Sequence, residues 1–229
     1  MHPGDEYARA VENENGKTEA WFVLDCEEGA ELIYGVNRDM ERAEFAAKIE
    51  DGSLMEVMNC VKVNPGDVIF IPSGMLHAIG AGILLAEVQQ SSNTTYRVFD
   101  YNRKDKFGNT RELHVKKATD VVNLRFNEAD FSPKGEKVML GDSSKTMLCE
   151  CEYFVMTSVE VNGELTDSAD EKSFVSLLVL DGSGTVSANG REYAVLYMDG
   201  MVNVAMLNDS VVRPIVMVDI IPSAENLAE

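Results

Sequence analysis

The stretch "GDVIFIPSGMLHAIG", residues 66–80, contains a turn, a short apolar run, a second turn and then a histidine. The run "VIFI" is rich in β-branched residues and predicts a strand. Pro72 ends that strand, because proline cannot donate to a strand ladder, and Gly74 permits a turn with positive φ. His77 therefore begins the segment that returns from the turn. The stretch predicts a strand–turn–strand unit with a histidine at its open end.

Four residues of this stretch form a spaced pattern: Gly66, five residues, Pro72, one residue, Gly74, two residues, His77. The pattern resembles a motif of the cupin superfamily, in which the histidine ligates a metal ion. A cupin is a β-barrel or jelly roll, so the resemblance implies that His77 lies at the mouth of a barrel. The alternative is a buried histidine whose ring nitrogens are satisfied by the backbone.

A metal site needs further ligands, and the candidates that the cupin pattern offers are His2 and Glu19, the latter at the start of the first strand signal. Two imidazoles and one carboxylate suit zinc with an open position for water or substrate. They also suit iron or manganese, so the ligand set alone leaves the metal open. Taken singly, His2 is interpreted as a terminal residue and Glu19 as a surface charge. They become candidate metal ligands only in combination with His77.

Strand signals recur on both sides of this stretch, with Gly and Pro turns between them, which indicates a barrel or jelly roll. The runs "AWFVLD" (20–25) and "AELIYG" (30–35) are predicted to pair as a hairpin, and residues 38–60 to contain two short helices. After a helix within 112–123, strand signals return, and the predicted strands of this second part lie within 145–161, 173–196, 201–207 and 211–221.

The predicted fold class is mainly β: a cupin-type β-barrel or jelly roll with short helices, followed by a second, smaller β module. We predict a metal-binding catalytic module over residues 1–105 and a helix and linker over 106–139. A cupin-like β module without metal ligands follows over 140–229. No histidine occurs after His114, so a second metal site of cupin type is not expected.

Charge and composition exclude some classes of function. The chain has 39 acidic and 20 Lys and Arg residues, a net charge of −19, which disfavours nucleic acid as a partner. A small phosphorylated ligand is compatible with this negative net charge, because a few cationic side chains can determine the electrostatic potential inside a cleft. No apolar run is long enough to span a bilayer, and the four cysteines lack zinc-ribbon spacing. We therefore expect a cytoplasmic protein with reduced thiols and no membrane partner; a homo-oligomer is one option.

Three ordered segments make the resemblance more specific. Residues 2–35, 66–103 and 111–118 are similar to the bacterial short-form type I mannose-6-phosphate isomerases, and the likeness covers most of residues 2–120. It implies a zinc-dependent aldose–ketose isomerase that interconverts mannose 6-phosphate and fructose 6-phosphate by proton transfer through a cis-enediol. It also implies that His2, Glu19 and His77 are the zinc ligands.

The same resemblance implies catalytic and substrate-binding roles for Lys17, Glu87 and Arg97. Lys17 or Glu87 is the expected general base, and the sequence does not choose between them. Arg97 offers a planar fork suited to phosphate or to a developing oxyanion. The structural alternatives are a solvated loop charge for Lys17, a solvent-facing strand position for Glu87 and a surface ion pair for Arg97. His114 is expected to be structural.

Compared with that family, the chain begins at the first ligand histidine, and we expect it to lack an N-terminal segment. Two other functions stay open. One is a non-catalytic cupin that binds a sugar phosphate or a metal, and the other is a different cupin chemistry such as that of an iron-dependent oxygenase. Metal analysis and an isomerase assay distinguish them.

Overall fold

The computed structural model describes residues 1–101, 103–104, 106–168, 174–188 and 190–196. The chain divides into two compact units, Met1–Phe131 and Ser132–Glu229. The predicted strands at 201–207 and 211–221 lie outside the described residues. The predicted division of function at residues 105 and 139 stays a prediction.

Short helices and strands alternate along the first unit. In chain order they are α1 (Asp5–Val11), β1 (Glu19–Cys26), β2 (Glu31–Val36), α2 (Arg42–Glu50), a 3-10 turn (Leu54–Val57), β3 (Met58–Lys62), β4 (Val68–Ile71), β5 (His77–Ala78), β6 (Ile83–Gln89) and α3 (Val115–Val121).

Two antiparallel three-stranded sheets organise this unit, with strand orders β4-β1-β6 and β3-β2-β5. In the first sheet Glu19 lies opposite Ile71 of β4 and Gln89 of β6, so β1 is the central strand. In the second sheet β2 is central and pairs with the two-residue strand β5, where Tyr34 lies opposite His77. The predicted mainly β class is confirmed.

The predicted hairpin between residues 20–25 and 30–35 is wrong. β1 pairs with β4 and β6, whereas β2 pairs with β3 and β5. A short connection leads from β1 in one sheet to β2 in the other. It contains a turn in which the Ala30 N–H donates to the Glu27 carbonyl at 3.0 Å. Because both strands bury an apolar face in either arrangement, the sequence pattern is the same for a hairpin and for a crossing between packed sheets.

The two sheets pack around a shared core, and β1, β2 and β4 all contribute side chains to it. A second core lies where the helices cover the other end of the unit, and Phe45 and Leu54 are almost completely buried there. The shared core contains Trp21, Val23, Ala30, Leu32, Tyr34, Val63, Ile69, Ile71 and Met75.

The second unit is also β-rich, as predicted for the smaller module. Its described strands are β7 (Val138–Leu140), β8 (Ser143–Glu150), β9 (Val155–Glu160), β10 (Ser183–Ala188) and β11 (Arg191–Leu196). The first three form one antiparallel sheet and the last two a hairpin. In the described part of the chain, all helices are too short or too polar to cross a membrane.

Candidate functional site

The three predicted metal ligands come from three separate segments that the fold brings together. Glu19 is the first residue of the central strand β1, and His77 begins β5 after the turn that ends β4. His2 precedes α1, and its carbonyl accepts a hydrogen bond from the N–H of Gly74 at 2.7 Å. This main-chain bond attaches the His2 segment directly to the turn that carries His77.

The side chains of His2, Glu19 and His77, called the triad below, converge on one point. The Nε2 atoms of the two histidines are 3.1 Å apart. Each also lies 3.3 Å from a different carboxylate oxygen of Glu19, His2 from Oε2 and His77 from Oε1. One ligand atom from each residue falls within 4.8 Å of the other two. The structure therefore places the predicted ligands together.

Backbone carbonyls fix the orientation of both rings. Nδ1 of His2 lies 2.8 Å from the Thr94 carbonyl, and Nδ1 of His77 lies 3.0 Å from the Met75 carbonyl. Since a carbonyl only accepts, each Nδ1 carries a proton, and in the neutral form of each ring Nε2 has its lone pair free for a metal ion. Histidine ligands in metal sites are held by such a partner on the other ring nitrogen. In that form two lone pairs would face each other at 3.1 Å and repel, and a cation between them would remove that repulsion.

Glu19 is ionised although it is 1% exposed. Burial alone raises the pKa of its carboxyl group, but His2, His77 and Lys17 outweigh burial and lower the pKa to about 2. Burial also lowers the pKa of His77 to about 3, so that ring is neutral at physiological pH. An ionised carboxylate beside a neutral imidazole is the protonation state that a metal ligand set requires.

One buried oxygen of this carboxylate lacks a hydrogen-bond partner. Among the side chains that the structure describes, Glu19 Oε2 is such an atom, although Lys17 Nζ lies 2.9 Å away. Lys17 therefore forms an ion pair with Glu19, but the angle at this contact does not meet the geometry of a hydrogen bond. A buried carboxylate oxygen is normally satisfied, and a metal ion would satisfy this one. The residues present thus fit a bound divalent metal.

Lys17 and Glu87 adjoin the triad. Lys17 Nζ lies 3.6 Å from Glu87 Oε1 as well as 2.9 Å from Glu19, and its side chain is 11% exposed. A solvated loop charge would be far more exposed, so the structural alternative for Lys17 does not describe it. The Glu87 side chain is 35% exposed, which leaves it open to a small molecule. Lys17 thus bridges the buried triad and an accessible carboxylate.

Trp21 also belongs to this site, and the sequence reading did not identify it. Its Nε1 donates to Glu87 Oε2 at 3.1 Å, and its ring meets the His77 ring edge-on at 5.4 Å between centroids. Trp21 lies two residues after Glu19, so the alternation of β1 sends both side chains to the same face of the sheet. That spacing was the signal available in the sequence.

The predicted role of Gly74 in the turn agrees with its geometry. Its φ is +83°, a conformation that other residues rarely adopt, and a Cβ at this position would lie 2.6 Å from the Val121 carbonyl oxygen. The turn therefore packs tightly against the end of α3, which holds the His77 segment in place.

Arg97 lies in a cavity next to the triad rather than in its hydrogen-bonded cluster. The cavity measures about 160 Å³, and Arg97 and His77 both line it, together with Tyr96 and Tyr101. The Arg97 guanidinium donates to the Glu112 carbonyl at 3.2 Å and lies 4.0 Å from Asp100 Oδ1. Its charge is therefore held at the cavity wall.

His114 holds the backbone beside Arg97. Its Nδ1 accepts a hydrogen bond from the Arg97 N–H at 3.0 Å, and its own N–H donates to the Arg97 carbonyl at 2.8 Å. Both bonds serve the main chain, in agreement with the structural role expected from the sequence.

Known proteins are similar to this chain in sequence and in fold. Over 201 residues, 87% of the chain, it is 40% identical to the mannose-6-phosphate isomerase ManA of Bacillus subtilis (strain 168). Over 202 residues, 88% of the chain, it is 34% identical to a mannose-6-phosphate isomerase of Streptococcus mutans. A crystal structure of the B. subtilis mannose 6-phosphate isomerase aligns with 86% of the chain, at a TM-score of 0.74 and 33% identity.

The likeness covers part of each relative. The chain covers 62% of the length of both enzymes and 62% of the crystallised chain, and so spans about three fifths of the curated relatives it matches. No protein-family model matches the chain.

Proposed function

We propose that this chain, a homologue of the bacterial mannose-6-phosphate isomerases, interconverts mannose 6-phosphate and fructose 6-phosphate. The observation that carries the proposal is the buried triad with free Nε2 lone pairs, adjoined by Lys17 and the accessible carboxylate of Glu87. The names of relatives at 34–40% identity support the choice of reaction and substrate.

We assign His2, Glu19 and His77 as zinc ligands. Two imidazoles and one carboxylate are a ligand set that zinc accepts while keeping a position open for substrate. When bound, zinc would act as a Lewis acid toward the oxygens of the sugar carbonyl and its neighbouring hydroxyl. The ionised carboxylate of Glu19 would offset one of the two positive charges of the ion, whereas the neutral ring of His77 would offset none.

Lys17 and Glu87 are the candidates for moving the proton between C2 and C1 of the sugar. We assign the base role to Glu87, since its carboxylate is accessible and is oriented by the Trp21 N–H at 3.1 Å. The Lys17 ammonium, between two carboxylates, would donate hydrogen bonds to the sugar oxygens on which charge develops. In this scheme Glu87 would take the C2 proton and return it to C1, while Lys17 would relay the hydroxyl proton of O2 to O1, so the overall reaction consumes no proton.

Arg97 is assigned to the substrate anion. A guanidinium offers parallel donors that match a phosphate or an oxyanion. This assignment is supported by the position of Arg97 in the wall of the cavity that His77 also lines. The ligand is thus proposed to be a phosphosugar rather than a free sugar.

All six assigned residues lie between positions 2 and 97. We therefore propose that residues 1–105 hold the catalytic groups, that 106–139 connect, and that 140–229 carry no metal ligand. We also propose a cytoplasmic reaction.

The test is an assay of fructose 6-phosphate formation from mannose 6-phosphate by the purified chain. Activity that a chelator abolishes and Zn²⁺ restores is the expected result, with about one zinc per chain by elemental analysis. Stoichiometric iron instead of zinc, or zinc-loaded protein that does not turn over, would overturn the isomerase proposal for this chain. Binding of the substrate without turnover would favour a non-catalytic binding protein.

A further inference from the structure

We infer that Asp5 and Gln90 are positioning residues, which form a hydrogen-bonded clamp on the loop that carries Lys17. Neither residue touches the triad, and neither is part of the assignments above. The catalytic part of this inference rests on the proposed isomerase function; the structural part does not.

The backbone of this loop is held at three consecutive residues. The N–H of Gly16 donates to Asp5 Oδ1 at 2.7 Å, and the N–H of Thr18 donates to Gln90 Oε1 at 2.8 Å. Between them, the N–H of Lys17 donates to the Pro3 carbonyl at 3.0 Å. Three neighbouring N–H groups of the loop therefore each have an acceptor, two of them on the segment of residues 3–5 and one just beyond the end of β6.

The two side chains of the clamp are also joined to each other. Gln90 Nε2 donates to Asp5 Oδ1 at 3.2 Å, while its Oε1 accepts from Thr18. The Gln90 N–H returns a bond to the Thr18 carbonyl at 3.0 Å. The Gln90 amide thus uses its donor and its acceptor, and Asp5 Oδ1 accepts two hydrogen bonds. Side-chain networks of this kind fix one geometry because each bond constrains the next.

Close packing adds to the clamp at Gly16. A Cβ there would lie 2.4 Å from the Asp5 nitrogen and 2.5 Å from the Gly4 carbonyl carbon. The loop backbone therefore rests directly on the segment that follows His2. Through Gln90 the same loop is attached just beyond the end of β6, the strand that carries Glu87.

The clamp thus fixes the Lys17 backbone relative to two segments that carry site residues. A lysine side chain has many rotamers, and holding its ammonium within 2.9 Å of Glu19 requires a fixed starting point. Loss of the clamp should displace the ammonium while leaving the triad in place. Displacements of about 1 Å in a catalytic group cost about 100-fold in rate.

The experiment uses the metal-loaded full chain and the variants Asp5→Ala and Gln90→Ala. The first measurement is acetylation of Lys17 by N-hydroxysuccinimidyl acetate, quantified by mass spectrometry. We expect Lys17 to react several-fold faster in both variants, with zinc content unchanged. The second measurement is turnover, for which we expect kcat to fall by roughly 10- to 100-fold with a smaller change in KM.

Two controls separate positioning from general damage. Asp5→Asn keeps an acceptor oxygen for Gly16 and Gln90, so it should restore near wild-type labelling and kcat. Arg9→Ala removes the exposed partner of the other carboxylate oxygen, Oδ2, at 3.2 Å, and should change neither.

Wild-type labelling of Lys17 in Asp5→Ala and Gln90→Ala would overturn the clamp, as would an Asp5→Asn variant as impaired as Asp5→Ala. A loss of zinc in parallel with kcat would also overturn it, because the residues would then act on the triad. If the wild-type chain shows no isomerase activity but the labelling pattern is as expected, the proposed function fails and the clamp stands.

Discussion

Two polar clusters of the first unit contain similar residues but differ in how completely their hydrogen-bond donors and acceptors are paired with each other. One is the triad with Lys17. The other, called the tyrosine cluster here, joins α1 to α3 and to the loop before Arg97. Its five residues are Tyr7, Glu12, Tyr96, Lys117 and Asp120.

In the tyrosine cluster each hydroxyl donates to a carboxylate. Tyr7 bonds Asp120 and Tyr96 bonds Glu12, both at 2.8 Å, and Lys117 Nζ lies 2.7 Å from Glu12. Burial and the Glu12 carboxylate raise the pKa of Tyr96, so its hydroxyl stays a donor.

In the triad, acceptors outnumber donors, because two imidazole lone pairs and a carboxylate face one lysine. A balanced cluster holds elements together and needs no further ligand, whereas this imbalance is what a cation would correct. Variants in the two clusters test this contrast.

The largest effect is expected for His77→Ala. Removing one of three ligands should abolish zinc binding, and with it isomerase activity by at least about 1,000-fold, since several kcal/mol of Lewis-acid stabilisation are lost. Elemental analysis of the dialysed variant measures the metal. His114→Ala is the matched histidine control and should retain zinc. Stoichiometric zinc in His77→Ala would remove that residue from the site.

The next effect is expected for Lys17→Met. The substitution keeps much of the side-chain volume and removes the charge, so turnover should fall by about 100- to 10,000-fold while zinc is retained. Steady-state kinetics together with metal analysis test this expectation. Loss of zinc would instead mean that Lys17 mainly holds Glu19 in place.

Tyr96→Phe should affect stability rather than metal content. It removes a single hydrogen bond to the ionised Glu12 carboxylate, which costs about 2 kcal/mol, or roughly 6 °C in thermal midpoint. Differential scanning calorimetry measures the shift. Zinc loss in this variant would show that the tyrosine cluster is coupled to the triad, which would contradict a purely structural role for the tyrosine cluster.

The smallest effect is a pH dependence at Glu12. The hydrogen bonds from Lys117 and Tyr96 lower the pKa of its carboxyl group from its ordinary value of 4.5. The folded state therefore binds this proton less readily than the unfolded state, and the stabilisation is present above about pH 4.5 and lost as pH falls further. The difference in unfolding free energy between wild type and Lys117→Met should shrink over that range. A difference that stays constant would contradict the ion pair.

Local signals in the sequence predicted the position of His77 after a tight turn, because the turn residues that place it, Pro72 and Gly74, are its neighbours. Glu19 and His2 needed the family resemblance, since their contacts depend on partners far away in the chain. Thr94, which fixes the His2 ring, is 92 residues from it.

The errors and omissions also have a physical origin. The sequence pattern does not state which sheet a strand joins, so β1 and β2 were paired wrongly. Asp5 and Gln90 are polar residues of a type usually found on the surface, and only the fold shows that their bonds converge on one loop.

Backbone groups hold the histidines of the triad in place. The carbonyls of Thr94 and Met75 orient the two imidazoles, and the amide of Gly74 fastens the His2 segment. Peptide groups are present whatever the side chain, so the amino acid at position 94 is free to change during evolution while the donor geometry persists, whereas position 75 must stay apolar because Met75 packs in the shared core. Position 74 has no such freedom. A library randomised at these three positions and selected for zinc should therefore return varied residues at position 94, apolar residues at position 75 and glycine at position 74.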